Sequence, residues 1–349
     1  MRERQQIGMS VIRQSLRPVP EVDWRALGKR YFNLSLYYRH TFGGETWKIS
    51  VDGGFHCPNA DGTISRFGCT FCNIASFSPS RRYDQPASVA EQIRRAIDNF
   101  KKRRSIDRFI AYFQPGTNTY APLPVLKAMF SEAVTVPGVV GLAIGTRPDC
   151  LPPEVLDFLA ELSQKIWLSV EIGLQSAHDA TLRRINRGHT FEDFRQAVWA
   201  CAARNLRVCA HIMFGLPGET PEMMLGTIAA LADLPIHAVK IHNLYVARDT
   251  ALAKIYAAGM YRPLEQHEYA ELVVTALERL SPAIVIERLT AETSDEYLIA
   301  PDWCRDKSGT LRRIQQLLDE RDTYQGKLWE QTAGNVAAAS RDSETGRSV

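Results

Sequence analysis

No stretch of this 349-residue chain reaches the ~18 to 20 uninterrupted apolar residues that a membrane-spanning helix requires. The opening MRERQQIGMSVIRQSLRPVP also lacks the apolar run of a secretory signal, so a cytoplasmic protein with no membrane contact is expected. Charge of one sign is lacking as well. The 42 basic and 39 acidic residues leave a formal net charge of +3, which neither demands a nucleic-acid partner nor excludes one. A disulfide framework is missing too, since the cysteines number seven. Three of them, Cys57, Cys69 and Cys72, crowd together, a pattern that points to metal or catalysis in a reducing compartment. Cys150, Cys201, Cys209 and Cys304 lie scattered and read as buried apolar residues.

What is present is an alternation. Almost continuously apolar runs at 47–51, 108–113, 139–144, 166–174, 207–216 and 238–246 read as strands buried on both faces. Amphipathic stretches at 88–103, 152–162, 192–205 and 265–280 supply helices between them. Six such units predict an α/β fold, a partial (β/α)6 barrel of the TIM type, whose chemistry sits at the C-terminal ends of the strands. An N-terminal extension over 1–45 is expected to cover one edge, followed by the core over 46–282. A C-terminal cap over 283–330 comprises one more strand (283–290) and a helix (309–322), and a polar, Ala-rich tail over 331–349 is expected to be disordered.

The loop after the first strand carries the cysteines, with eleven residues between Cys57 and Cys69 and two between Cys69 and Cys72. Thiolates suit zinc or iron–sulfur iron, and spacing alone leaves both open. A structural zinc would need a fourth ligand, such as His56 or a remote cysteine, whereas a [4Fe–4S] cluster on three thiolates keeps one iron open to a cofactor. Position after a barrel strand favours the cluster, because zinc more often staples domains too small to hold a core.

The cysteine segment, Gly145-Thr-Arg-Pro-Asp, Glu171-Ile-Gly-Leu-Gln-Ser, Ile185-Asn-Arg-Gly-His-Thr and Gly215-Leu-Pro-Gly-Glu together resemble the radical S-adenosylmethionine (SAM) superfamily. The resemblance is to its elongator-like and oxygen-independent coproporphyrinogen oxidase-like branch, in the YhcC/YtqA-type subgroup, and runs from about residue 30 to 329. It implies an enzyme whose [4Fe–4S] cluster, on Cys57, Cys69 and Cys72, reductively cleaves SAM to a 5′-deoxyadenosyl radical, with a reductant such as flavodoxin or ferredoxin. The superfamily's usual motif is C-x3-C-x2-C; the eleven-residue gap departs from it in the manner of the elongator-like branch.

The resemblance also implies SAM contacts. Phe71 falls where an aromatic packs near adenine, and Gly116, Thr117 and Asn118 fall on the glycine-rich turn that meets the SAM amino group. Gln175 and Arg187 match SAM-contacting positions, Arg187 at the carboxylate, and Gly215 opens the loop beside adenine. His211 stands where the family has an acidic ribose ligand, and Gly145 stands where the elongator-like motif has an acid. Glu171 is the candidate substitute, or else a strand carboxylate paired with a lysine or arginine. No catalytic hydrogen-atom donor is assigned.

The elongator-like branch acts on wobble uridines of tRNA, so the resemblance implies modification of a tRNA wobble-uridine side chain. Arg81, Arg82, Lys101-Lys-Arg-Arg104, Arg183, Arg184, Tyr31, Tyr37 and Tyr38 are candidates to grip phosphates and stack on bases, although cations at 101–104 equally suit a solvated helix end. Two alternatives stand beside this reading: a small-molecule substrate such as a tetrapyrrole, and a zinc-stabilised, non-catalytic RNA-binding protein.

Overall fold

The computed structural model describes residues 22–78, 87–102, 104 and 106–329. Arg81, Arg82, Arg103, the first 21 residues and the tail over 331–349 lie outside the described residues.

Within that span, helix α1 (Leu34–Phe42) precedes strand β1 (Thr46–Val51), and the alternation then begins. Its order is α2 (Val89–Lys101), β2 (Arg108–Phe113), α3 (Leu123–Val134), β3 (Val139–Thr146), α4 (Pro153–Ser163), β4 (Trp167–Gln175), α5 (Asp179–Arg184), α6 (Phe191–Ala202), β5 (Arg207–Phe214), α7 (Pro221–Ala232) and β6 (Ala238–Asn243). Then follow β7 (Val246–Ala247), α8 (Ala251–Ala257), α9 (Gln266–Arg279), β8 (Val285–Arg288), β9 (Leu298–Ala300) and α10 (Lys307–Glu320). Local chemistry fixes several helix starts. The Ser88 side chain accepts from the amide of Glu91 at the head of α2, and Thr190 and Asp193 form a capping box at the head of α6.

Seven parallel strands form one curled sheet in the order β1-β2-β3-β4-β5-β6-β8, a half-barrel, so the expected six units gain a seventh strand within the same sheet. The last expected run splits. Its last residue, Val246, turns away and with Ala247 pairs with β9 in a separate antiparallel ribbon. Among the described residues no helix is long and apolar enough to cross a membrane.

Because side chains alternate along a strand, the sheet makes two interiors. Phe109, Ala111 and Phe113 of β2 face outward and pack under the helices, together with Ile49, Leu142, Val170, Val208 and Ile241. Ile110, Tyr112, Ala143 and Cys209 face inward, where Trp24, Phe32, Tyr37 and Tyr38 plug the N-terminal end of the half-barrel. Tyr37 and Tyr38 are therefore not free to stack on bases, contrary to the expectation above. Each is only 2% exposed, and both pack with Trp167 at ring centroid distances of 6.5 and 5.7 Å. An aromatic helix face was needed to close the barrel bottom, and α1 supplies it. Lys101, Lys102 and Arg104 are exposed, but they end α2 just before β2 begins, at the end of the barrel opposite the strand C-termini.

The plug leaves little space. A Cβ on Gly141 would come within 2.6 Å of Ile110 Cδ1 and 2.9 Å of the Trp167 carbonyl oxygen. Gly141→Val is accordingly expected to destabilise the protein by about 1–3 kcal/mol, read as a lower urea midpoint; an unchanged midpoint would show that the interior is loose there.

Candidate active site

Above the plug the inward positions become charged. Lys48 of β1, Glu171 of β4, Lys240 of β6 and Glu287 of β8 point into one layer, almost sealed from solvent, with side-chain exposures of 14, 0, 3 and 2%. Lys48 Nζ lies 2.5 Å from both Glu171 Oε1 and Glu287 Oε2, and Lys240 binds the other oxygen of Glu171. Lys240 Nζ also sits 4.2 Å from the ring centre of Tyr112, a cation–π contact. Burial opposes charge on Glu171, yet Lys240, Lys48 and the His211 hydrogen bond outweigh it and hold the carboxyl well below the usual range. Of the two roles considered for Glu171, the lysine pairing is the one that its contacts occupy.

His211 donates from Nε2 to Glu171 Oε2 at 2.8 Å. Burial, reinforced by Lys240, lowers its pKa to about 4, so the ring is neutral at physiological pH. His242 lies beside it with ring centres 5.5 Å apart; it is held well below the ordinary histidine range chiefly by burial, and its Nε2 is buried without a partner among the described residues.

This layer floors a cavity of about 260 Å³ at the C-terminal ends of the strands. Cys57, Cys69 and Cys72 line it, and so do Phe71, Gly116, Thr117, Gln175, Arg187 and His211. Two candidate residues stand outside its lining. Asn118 is buried and braces the turn, donating to the carbonyls of Phe113 and Gly145 at 3.0 and 2.8 Å. Gly215 lines a neighbouring groove with Arg184, Glu219 and Tyr261, its carbonyl accepting from the Tyr261 hydroxyl at 2.8 Å.

Gly116 has φ 78°, and a Cβ there would lie 2.4 Å from the Phe55 carbonyl oxygen, so the turn needs glycine to pass against the cysteine loop. Gln175 is held at φ 76°, a conformation uncommon for a side-chain-bearing residue and one that accumulates at functional sites. Arg187 is buried rather than solvated. Its guanidinium donates to Gly173 O at 2.7 Å, to His189 Nε2 at 2.9 Å and to Cys69 Sγ at 3.5 Å. Arg147 was no more than part of a motif in the sequence. It holds this segment by donating to Arg187 O at 2.7 Å, while a bidentate pair with Asp149 fixes its own fork.

Cys72 is exposed where it opens into the cavity, and the surrounding loop crowds its sulfur. Burial together with the neighbouring Cys69 and Cys57 pushes its thiol up to about 12. His56 faces solvent and does not line the cavity, and among the described residues no three His, Cys, Asp or Glu side chains converge as ligands of a single ion.

The family description "Radical SAM superfamily" matches residues 62–231, and "Radical_SAM C-terminal domain" matches residues 236–320. YtqA of Bacillus subtilis (strain 168) is 39% identical over 305 residues, covering 86% of this chain and 94% of YtqA. The chain belongs to the radical SAM superfamily. Within it, this radical SAM enzyme falls in the YtqA/YhcC family, as the motifs implied. A part of it is also similar to the tRNA uridine(34) acetyltransferase of Methanocaldococcus jannaschii, 31% identical over 137 residues, or 38% of this chain and 25% of that protein. The half-barrel matches the archaeal Elp3 of Methanocaldococcus infernus with a TM-score of 0.62 at 19% identity, covering 80% of this chain and 64% of the other.

Radical SAM enzymes carry a [4Fe–4S] cluster and SAM, and the residues of this site fit such a group. Three thiols share one cavity wall, two side-chain donors already aim at Cys69 Sγ, and glycine turns leave the lining free of Cβ atoms where the backbones meet.

Two outcomes follow from the charged floor. Glu171→Gln leaves two buried ammonium groups facing a single carboxylate and is expected to cost about 3–5 kcal/mol of stability, measured by denaturant unfolding near neutral pH. His211 is depressed from the ordinary histidine value near 6.5 to about 4 in the fold, so between those values the unfolded chain binds more protons. Stability therefore falls as pH drops through that window, and His211→Gln should flatten the slope relative to wild type. An identical slope in the variant would show that His211 does not titrate with unfolding.

Proposed function

We propose that Cys57, Cys69 and Cys72 hold a [4Fe–4S] cluster, and that the protein uses it to open SAM reductively and alter a side chain on a wobble uridine of tRNA. The observation that carries the cofactor reading is the sharing of a single cavity by the three cysteines, Gly116, Gln175 and Arg187. When bound, the cluster supplies an electron, received from a donor such as flavodoxin or ferredoxin, that generates a 5′-deoxyadenosyl radical from SAM. The chain's own part is to hold, orient and keep dry. Arg187, permanently charged and buried, suits the SAM carboxylate. The backbone of Gly116 and Thr117 suits its amino group, and Phe71 and Met213 form apolar wall for adenine. His211 is neutral and already committed through Nε2 to Glu171, so it offers ribose only its remaining ring nitrogen.

The tRNA part is supported by relatives, one of them named for uridine(34) of tRNA. Arg183 and Arg184 are exposed at the end of α5, on the same side of the barrel as the cavity. Of the described basic candidates, these two stand on that side, whereas Lys101 and Lys102 are at the far end.

Anaerobic reconstitution with iron and sulfide should give cluster absorbance and release of 5′-deoxyadenosine from SAM with dithionite. Both should disappear when Cys57, Cys69 and Cys72 are replaced by alanine; a colourless zinc protein that leaves SAM intact would overturn the cofactor reading. For the substrate, Arg183→Glu with Arg184→Glu should weaken tRNA binding and lower its salt slope by roughly one for each phosphate no longer neutralised, while Lys101→Glu with Lys102→Glu should change neither. Affinity indifferent to both pairs, or tetrapyrrole-dependent turnover without tRNA, would displace tRNA as substrate.

A further inference from the structure

The eleven residues between Cys57 and Cys69 are more than a spacer, because they carry a buried amide to the sulfur. Asn59 is fully buried. Its Nδ2 donates to the Asn186 carbonyl at 2.6 Å and to Cys69 Sγ at 3.5 Å. A flipped amide would set Oδ1 against that carbonyl oxygen, so the donor side is fixed toward the sulfur. Oδ1 is left buried without a partner among the described residues. A polar side chain that strands its own acceptor is a poor choice for packing alone, where an apolar group of the same shape would serve better.

The surroundings are built around this amide. A Cβ at Gly188 would come within 2.6 Å of Asn59 Oδ1, so the glycine after Arg187 makes room for it. The loop closes on itself through Gly68 N to Asn59 O at 2.8 Å. It is then clasped by Asn186, which donates to Ser65 Oγ at 2.9 Å and to Gly68 O at 2.7 Å. Asn59 and Arg187 thus approach one sulfur from two different elements.

We infer that Asn59 is a positioning and tuning residue: its amide donates to the Cys69 thiolate and raises the reduction potential of the cluster. This rests on the cofactor reading above. Adding an electron increases the negative charge on the ligand sulfurs, so a donor aimed at one of them favours the reduced state. The long loop would then supply a tuning contact of its own beside the one from Arg187.

The test is the midpoint potential of the reconstituted holoprotein, followed by dithionite titration and electron paramagnetic resonance, for wild type, Asn59→Leu and Asn59→Asp. Asn59→Leu removes the donor with little change in shape, and Asn59→Asp keeps the shape but presents negative charge. Both midpoints are expected to fall, the leucine variant by roughly tenfold in the reduction equilibrium, about 59 mV for a one-electron couple, and the aspartate variant further. Wild-type potentials in variants carrying full iron would overturn the inference. So would failure of both to take up iron while circular dichroism shows the fold intact, since Asn59 would then be a structural part of the loop. A wild-type protein that never forms a cluster would instead defeat the cofactor reading itself.

Discussion

The half-barrel depends on a charge layer that balances itself away from water. β1 and β8 are the two edges of the curled sheet, and the described ladders do not join them. Besides α1, which packs against both, they are linked across the interior by Lys48 on the first strand and Glu287 on the last, with Glu171 and Lys240 completing two cations against two anions. Buried ion pairs are weak evidence for stability, because desolvation consumes most of the Coulomb gain, and their better-supported use is in specifying one arrangement among several. Here four strands must come together at one height for all four charges to be satisfied. A slip of one residue in any of them would turn its charge out under the helices.

This layer also separates two environments that the same strands must serve. Below it the inward side chains are apolar and filled by Trp24, Phe32, Tyr37 and Tyr38. Above it they become small or functional: Gly145, Gly173, Gln175, Met213 and His242. The carboxyl and ammonium groups of the floor are already paired, so they present fixed dipoles to the cavity with no need for solvent to reorganise, the condition under which a reactive species is best sheltered.

Much of the frame was legible because its strands are buried on both faces and read as unbroken apolar runs; β2 falls on residues 108–113 as expected. The charge layer was not read as a unit, although its signal is there. Lys48, Glu171 and Lys240 are each the lone charge of their strand, Glu287 shares β8 with Arg288, and the four charges of the layer sum to zero. A single charge in such a run looks like a strand end or a surface face; only the set shows that the charges share a layer. Tyr37 and Tyr38 failed in the opposite direction. Basic and aromatic residues together suggest nucleic acid, but α1 turns its aromatics inward and its Arg39 outward, so composition misled where periodicity would have helped. Arg187 and Gln175 could be located from motifs, but the burial of Arg187 and the positive φ of Gln175 depend on loops whose geometry no local pattern encodes.

The cysteine loop shows why such loops escape a sequence reading yet need not be loose. Its residues have no repeating pattern, and their fixation is tertiary: Thr70 N to Ile185 O at 2.9 Å, and the Asn59–Asn186 pair. The segment that clasps it, 185–189, is the same one that lowers Arg187 into the cavity, and Arg147 grips that segment from the end of β3. The cysteines, Arg187 and the bracing Arg147 are therefore positioned by one hydrogen-bonded body. Lengthening the first cysteine gap adds contacts to that body rather than slack. A chain that departs from the short motif can in this way still hold its three sulfurs around one cavity, because the added residues are anchored to the loop that carries Arg187.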